Sequence, residues 1–426
     1  MKKTFSLVLA LAMIFSLFSF GTAYADFDAA AAYEKYAGTE LNFIRHSGYE
    51  ADWMAEKAQE FYELSGIKVN VEQIAYSEMK NKVMLDVSSP SGAYDIIATT
   101  EYWLSEFDEG EWLVDQYQFI NDPALYDPAF EIEDIGASTL DSNTIDGKLL
   151  AMPFKTNGQF LVYRSDLVPE PPATWEEYLE IAAANTNDDT VGVSLALSMA
   201  SGMDVYLNLL YQAGGSFLNE DSTACNLDTP EAKAAMEFLV NLSEYTTEGA
   251  INNQWPESSA VFAQGGAALY PTINSQLSSL YSSASEEVLS SLKYAELPGQ
   301  VSCISTWGLG ITSNCECPEA AWLFIQYMFG PEKIVEVVKG TSGSDIPIRS
   351  SLLLDKELMS AYPHFEVIDQ MLSNEGHTWV YPKTTVTTAI MEALATHVQN
   401  AVIGSETVDE ALANAKAEID DLLQDA

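Results

Sequence analysis

The 426 residues carry 63 Asp and Glu against 19 Lys and Arg, a formal charge of −44 at pH 7. So acidic a surface repels nucleic acid and anionic membrane, and no Lys/Arg cluster overrules that average. Hydrophobic residues make up 47% of the chain and aromatic ones 11%, enough to fill the cores of two or three domains, and no repeat or low-complexity tract interrupts them.

Lys2 and Lys3 precede an apolar run from Phe5 to Phe20, and Ala23-Tyr24-Ala25 supplies a small-x-small cleavage site. That pattern predicts an export signal over 1–25, too short to remain as a membrane span. With no cysteine at the cleavage point, the expected product is soluble, periplasmic or extracellular, and not lipid-anchored. Cys225, Cys303, Cys315 and Cys317 lie far downstream with no pairing deducible, and their spacing does not suit zinc.

The rest alternates strand and helix. Leu41–Arg45 reads as a strand ending in His46-Ser47-Gly48. Met54, Ala58, Phe61 and Tyr62 then form one helical face that stops at Gly66. Val69 and Val71 alternate with polar neighbours, a helix follows over 77–87, and Tyr94–Ala98 reads as a buried strand. This order predicts an α/β chain with a parallel sheet covered on both faces, ligands sitting beyond the carboxyl ends of its strands. The pattern restarts at Leu149–Phe154 and Phe160–Tyr163, and again at Ala267–Asn274, Tyr294–Gly299 and Thr306–Thr312. Thr174-Trp175-Glu176-Glu177 and Thr229-Pro230-Glu231 open helices, Pro318–Phe329 is another, and 385–423 reads as helical throughout. Two lobes with a cleft between them are expected.

Several segments carry a family resemblance by their order and spacing. They are Tyr94-Asp95-Ile96-Ile97, Gly110–Val114, Ile145–Phe154 running on to Val162–Leu167, and Pro172–Tyr178. Phe262–Pro271, Trp307–Ile311, Ile346–Arg349 and Val408–Leu412 complete the set. Together these resemble the solute-binding proteins of ABC importers, in the sugar-binding branch of the maltose- and polyol-binding proteins. The resemblance implies a periplasmic-binding-protein-like fold: two α/β lobes that close on a solute, three hinge crossings, and delivery to a membrane permease by a monomer. By analogy the crossings lie near Phe154–Asn157, Tyr270 and Phe329–Glu332, giving one lobe of 27–154 with 271–330 and another of 155–270 with 331–426.

A sugar presents hydroxyls around apolar C–H faces, so its site needs flat aromatic rings and planar polar groups. Candidates where the cleft is expected are Glu101, Tyr102, Trp103, Lys155, Asn157, Trp255, Tyr270, Asn274, Trp307, Arg349 and Trp379, with Tyr381 beside the last. Trp53, Trp112, Trp175 and Trp322 read instead as core, and His46 as a structural group. The helix near Thr387 carries Ile390-Met391 where the maltose-type pattern has an aromatic, which favours a short sugar or polyol over a long oligosaccharide. Asp141–Gly147 misses the calcium-loop offsets, and no metal or cofactor is expected. No G-x-S-x-G, H-E-x-x-H or phosphate-cradling loop is present, so the chain does not read as an enzyme. The alternatives are an importer receptor for a polyamine, which needs converging carboxylates, and a secreted carbohydrate-active enzyme.

Overall fold

The computed structural model describes residues 27–424 apart from 375, so the expected leader, 1–25, lies outside the described residues. Its strands in chain order are β1 (Glu40–His46), β2 (Lys68–Ile74), β3 (Ile96–Thr100), β4 (Thr144–Ile145), β5 (Lys148–Leu149) and β6 (Met152–Arg164). Then follow β7 (Val191–Val193), β8 (Ala267–Ile273), β9 (Leu292–Ala295), β10 (Ser302–Ile311), β11 (Ile346–Pro347) and β12 (Thr378–Trp379). One ten-stranded sheet runs β2-β1-β3-β10-β6-β8-β7, with β9 and β11 added to β6 and β12 to β10, while β4 and β5 make a separate hairpin.

The opening alternation matches its sequence signals. Helix Tyr49–Ser65 buries Trp53, Met54, Ala58 and Phe61 and ends at Gly66, whose φ of 73° is a left-handed cap that costs glycine little. Tyr62, expected on that face, is 44% exposed. It sits about 80° around the helix from Met54, outside the buried stripe. The Thr174 hydroxyl accepts from the Glu177 amide at 3.2 Å, one half of the cap that the sequence signals, while Glu177 Oε2 reaches past Thr174 to accept from the Ala173 amide.

Three expectations are corrected. The sheet is mixed, because β10 runs antiparallel to both β3 and β6. The runs 149–154 and 160–163 are not two strands, since β6 carries straight through Lys155-Thr156-Asn157-Gly158. The C-terminal helix is two, Thr387–Ile403 and Val408–Gln424, because Gly404 at φ 75° ends the first.

Strand β6 holds the molecule together, and its alternation shows how. Phe160 and Val162 enter one core with Phe43, Ile97, Trp322, Tyr270 and Phe365. Leu161 and Tyr163 point the other way, into a core with Tyr178, Leu269, Leu394 and Ile419. Burial of each large side chain in these cores stabilises the fold by roughly 1.5–3 kcal/mol. The segment holding β11 and helix His364–Ser373 packs into the first core through Ile346, Phe365 and Ile368. The polar stretch of β6 is fastened by Asn274, whose side-chain oxygen accepts from the Gly158 amide at 2.7 Å.

Candidate functional site

Strand β3 ends in buried Thr99 and Thr100, and the chain then tightens into a single turn, Glu101–Trp103. The antiparallel neighbour β10 puts Trp307 opposite Thr100. Four predicted residues, Glu101, Tyr102, Trp103 and Trp307, therefore meet at one end of the sheet. Trp307 lies 6.0 Å from Trp103, 4.6 Å from His46 and 6.1 Å from Tyr76, ring centre to ring centre. The Tyr76 and Tyr102 hydroxyls share a hydrogen bond of 3.0 Å, and the Tyr102 ring is 5.0 Å from Tyr381. This aromatic set lies beyond the carboxyl ends of β1 and β3, where open α/β sheets take their ligands. Tyr76 remains 52% exposed, so the set opens to solvent on its side.

Two buried acids adjoin these rings. Glu101 Oε2 accepts from the Thr306 amide at 2.7 Å and the Thr100 hydroxyl at 2.8 Å, while Oε1 is buried without a partner. Burial pushes the Glu101 carboxyl up to about 7, against those two hydrogen bonds. Asp204, on helix Met199–Gln212, accepts the Tyr381 hydroxyl on Oδ1 at 2.6 Å. Burial raises it too, to about 7. His46 is neutral, lowered to about 3 by burial and by the charges of Arg45 and Lys155.

The other predicted residues make contacts of their own, although Trp379 lies 5.4 Å from Tyr381 and Lys155 sits opposite Trp307 across β6 and β10. Lys155 is sealed in an ion cluster with Glu50 and Asp345, and Arg45 joins it through Glu50 at 2.7 Å. Burial opposes that cluster, but Lys155 and Arg45 together hold Glu50 well below the usual carboxylate range. Asn274 and Asn157 bond each other at 3.4 Å, and Asn274 is fully buried against β6. Tyr270 is core, stacked on Phe262 at 5.2 Å. Trp255 opens helix Trp255–Ala263 and lines a narrow cavity with Trp175, Tyr178 and Asn208, inside the second core. Trp379 donates to Asn208 at 2.8 Å and stacks on Tyr211 at 4.8 Å.

Arg349 is the plainest correction. It is fully buried, and its guanidinium donates to the carbonyls of Phe130, Glu131 and Phe329 at 2.6–3.3 Å. Four hydrogen bonds to carbonyls and an ion pair with Asp134 at 3.8 Å hold it within the fold, away from solvent. Reasoning from sequence also missed Tyr76 and Asp204. Tyr76 heads a helix whose apolar spacing gave no ligand signal, and Asp204 is one acid among 63.

Two lysines span the region. Lys383 donates to the carbonyls of Asp141 and Thr144 at 2.7 and 3.2 Å. Lys80 bonds Thr388 at 2.6 Å and pairs with Glu106 at 2.8 Å. Among the described residues no cluster of His, Cys, Asp or Glu is arranged to hold a metal, and all four cysteines are free. No described helix is long and apolar enough to cross a membrane.

The family described as bacterial extracellular solute-binding protein matches residues 56–367, most of the chain. The chain belongs to that family. Its relatives include a probable amino-acid ABC transporter periplasmic-binding protein of Sinorhizobium fredii, 22% identical over 99% of this chain and 98% of the relative. A mannitol-binding protein of Pseudomonas aeruginosa is 24% identical over 58% of each chain. An ABC transporter solute-binding protein from Agrobacterium radiobacter, solved with ribitol, superposes with a TM-score of 0.80 at 21% identity, covering 91% of this chain and 99% of that one. A maltose-bound protein of Thermotoga maritima gives 0.78 at 21% identity, covering 90% and 100%. The fold is thus that of the periplasmic binding proteins, and this solute-binding protein is the substrate-binding component of an ABC transporter.

Proposed function

We propose that this solute-binding protein captures a polyhydroxylated solute of polyol or short-sugar size and presents it to its permease. The observation that carries the reading is the juxtaposition at the end of β3. The indole and phenol rings of Trp103, Trp307, Tyr76, Tyr102 and Tyr381 gather at the turn that begins with Glu101, a buried carboxyl with an unpartnered oxygen, Oε1. Rings cover C–H faces, and the free oxygen accepts a hydroxyl. The relatives that bind mannitol, ribitol and maltose support the same class.

Capture works by closure of two lobes, 27–154 with 271–330 and 155–270 with 331–426, about the polar stretch of β6 and the other two crossings. Segment 346–371 rides on the first core. Residues 1–25 are removed on export, and the mature protein acts as a monomer without catalysis. A thermal-shift screen over polyols, sugars, uronates and polyamines tests the reading, since a solute at one hundred times its dissociation constant adds roughly 2.7 kcal/mol. A response confined to uronates would overturn it. A polyamine is the second reading, favoured by the closeness of Glu101 and Asp204 to one set of rings.

A further inference from the structure

Glu101 and Asp204 come from different parts of the chain, yet the Tyr102 ring beside Glu101 lies 5.0 Å from the Tyr381 ring, whose hydroxyl donates to Asp204 at 2.6 Å. They therefore flank one set of rings. Each keeps an oxygen in reserve: Glu101 Oε1 is buried and unpartnered, and Asp204 Oδ2 accepts no hydrogen bond among the described residues.

Among the described residues neither acid forms a salt bridge. Lys383 is the cation that reaches Glu101 electrostatically, and its ammonium is turned onto the carbonyls of Asp141 and Thr144. Lys80 pairs with Glu106, and Lys155 and Arg45 are occupied by Glu50 and Asp345. Asp204 meets a hydroxyl, that of Tyr381, and no charged partner. Burying a carboxylate without a cation is costly, and a solute hydroxyl offsets only part of that cost. An ammonium group offsets more, and the faces of Trp307, Trp103 and the tyrosines attract a cation as readily as they cover a C–H face. The formal charge of −44 draws cationic solutes toward the molecule and repels anionic ones.

We infer that Glu101 and Asp204 form a two-sided ammonium clamp, so that the preferred solute is an amino derivative of a polyol or sugar. This rests on the polyol and sugar reading above and narrows it. Proton balance fits the assignment: burial raises both carboxyls to about 7, and an entering ammonium favours the charged forms.

Calorimetry on the mature protein at pH 7.5 with matched probes tests the clamp: glucamine against sorbitol, and glucosamine against both glucose and N-acetylglucosamine. The amines should bind tighter than their neutral partners by roughly tenfold or more, the scale of one charge-assisted contact. Acetylation should abolish the gain, and Asp204→Asn should cut it to about threefold or less. Neutral probes binding as tightly as the amines would overturn the clamp and leave the polyol reading standing. If Asp204→Asn fails to fold, the amine and acetyl comparison on the parent still decides. Binding of 1,4-diaminobutane with every hydroxylated probe failing is a different pattern, and it would overturn the polyol reading itself.

Discussion

The Tyr381 hydroxyl donates to Asp204 Oδ1 at 2.6 Å, joining the segment after β12 to helix Met199–Gln212. That bond favours the carboxylate, but burial outweighs it and Asp204 titrates near 7 in the folded chain. An unfolded Asp titrates near 3.9, so between the two values the folded state holds the extra proton and stability falls as pH rises. Asp204→Asn removes this term. Melting of variant and parent should therefore diverge in the variant's favour as pH rises from about 4 to about 7, on the order of 2–4 kcal/mol at most. A pH-independent difference would contradict the assignment.

Trp307→Ala removes the ring at the centre of the aromatic set while leaving Glu101 and the tyrosine hydroxyls in place. Binding of the solute should weaken by about 1.5–3 kcal/mol, ten- to a hundredfold. The indole is 7% exposed and packs on His46 and Trp103, so the melting temperature should drop as well. Normal affinity in the folded fraction would place Trp307 in the core alone.

Arg349→Met predicts the opposite split. Its guanidinium satisfies the carbonyls of Phe130, Glu131 and Phe329, which the variant would leave buried and unpaired. The expected loss is about 3 kcal/mol or more of stability, with solute affinity unchanged in the molecules that remain folded. Titration calorimetry beside thermal melts separates the two effects.

Much of this was legible in the sequence because the signals were local. The alternation in β1 and β2, the Gly66 stop and the Thr174 cap each depend on a few neighbouring residues. Glu101, Tyr102 and Trp103 could be nominated because strand ends locate ligand sites in this class of fold, whereas Trp307, in the middle of β10, was nominated through the family resemblance. What sequence could not show was direction. Arg349 follows a strand as a ligand-facing arginine would, yet its side chain turns inward to carbonyls some 200 positions away in the chain. Asp204 sits on a helix of ordinary apolar spacing, and only the distant Tyr381 reveals its role. The break at Gly404 was local, but the apolar pattern on both sides concealed it.

Lys383 gives a test of closure. Its ammonium bonds the carbonyls of Asp141 and Thr144, which belong to the other proposed lobe. Lys383→Met should favour the open arrangement and weaken solute binding about three- to tenfold, because the binding-competent fraction falls. Small-angle scattering should show a larger radius of gyration at partial saturation than the parent gives. An unchanged radius and affinity would show that this tie does not bear on closure.

The set of rings beside Glu101 is where we propose that a polyhydroxylated solute binds. Calorimetric titration of the mature protein with polyols, short sugars and their amino derivatives tests it most directly. The account predicts saturable heat at one site per chain for at least one probe, with a negative heat-capacity change as the rings are buried. It also predicts that Trp307→Ala removes most of that affinity. Absence of saturable heat from every such probe up to about 1 mM, a free energy of only about −4 kcal/mol, would contradict it.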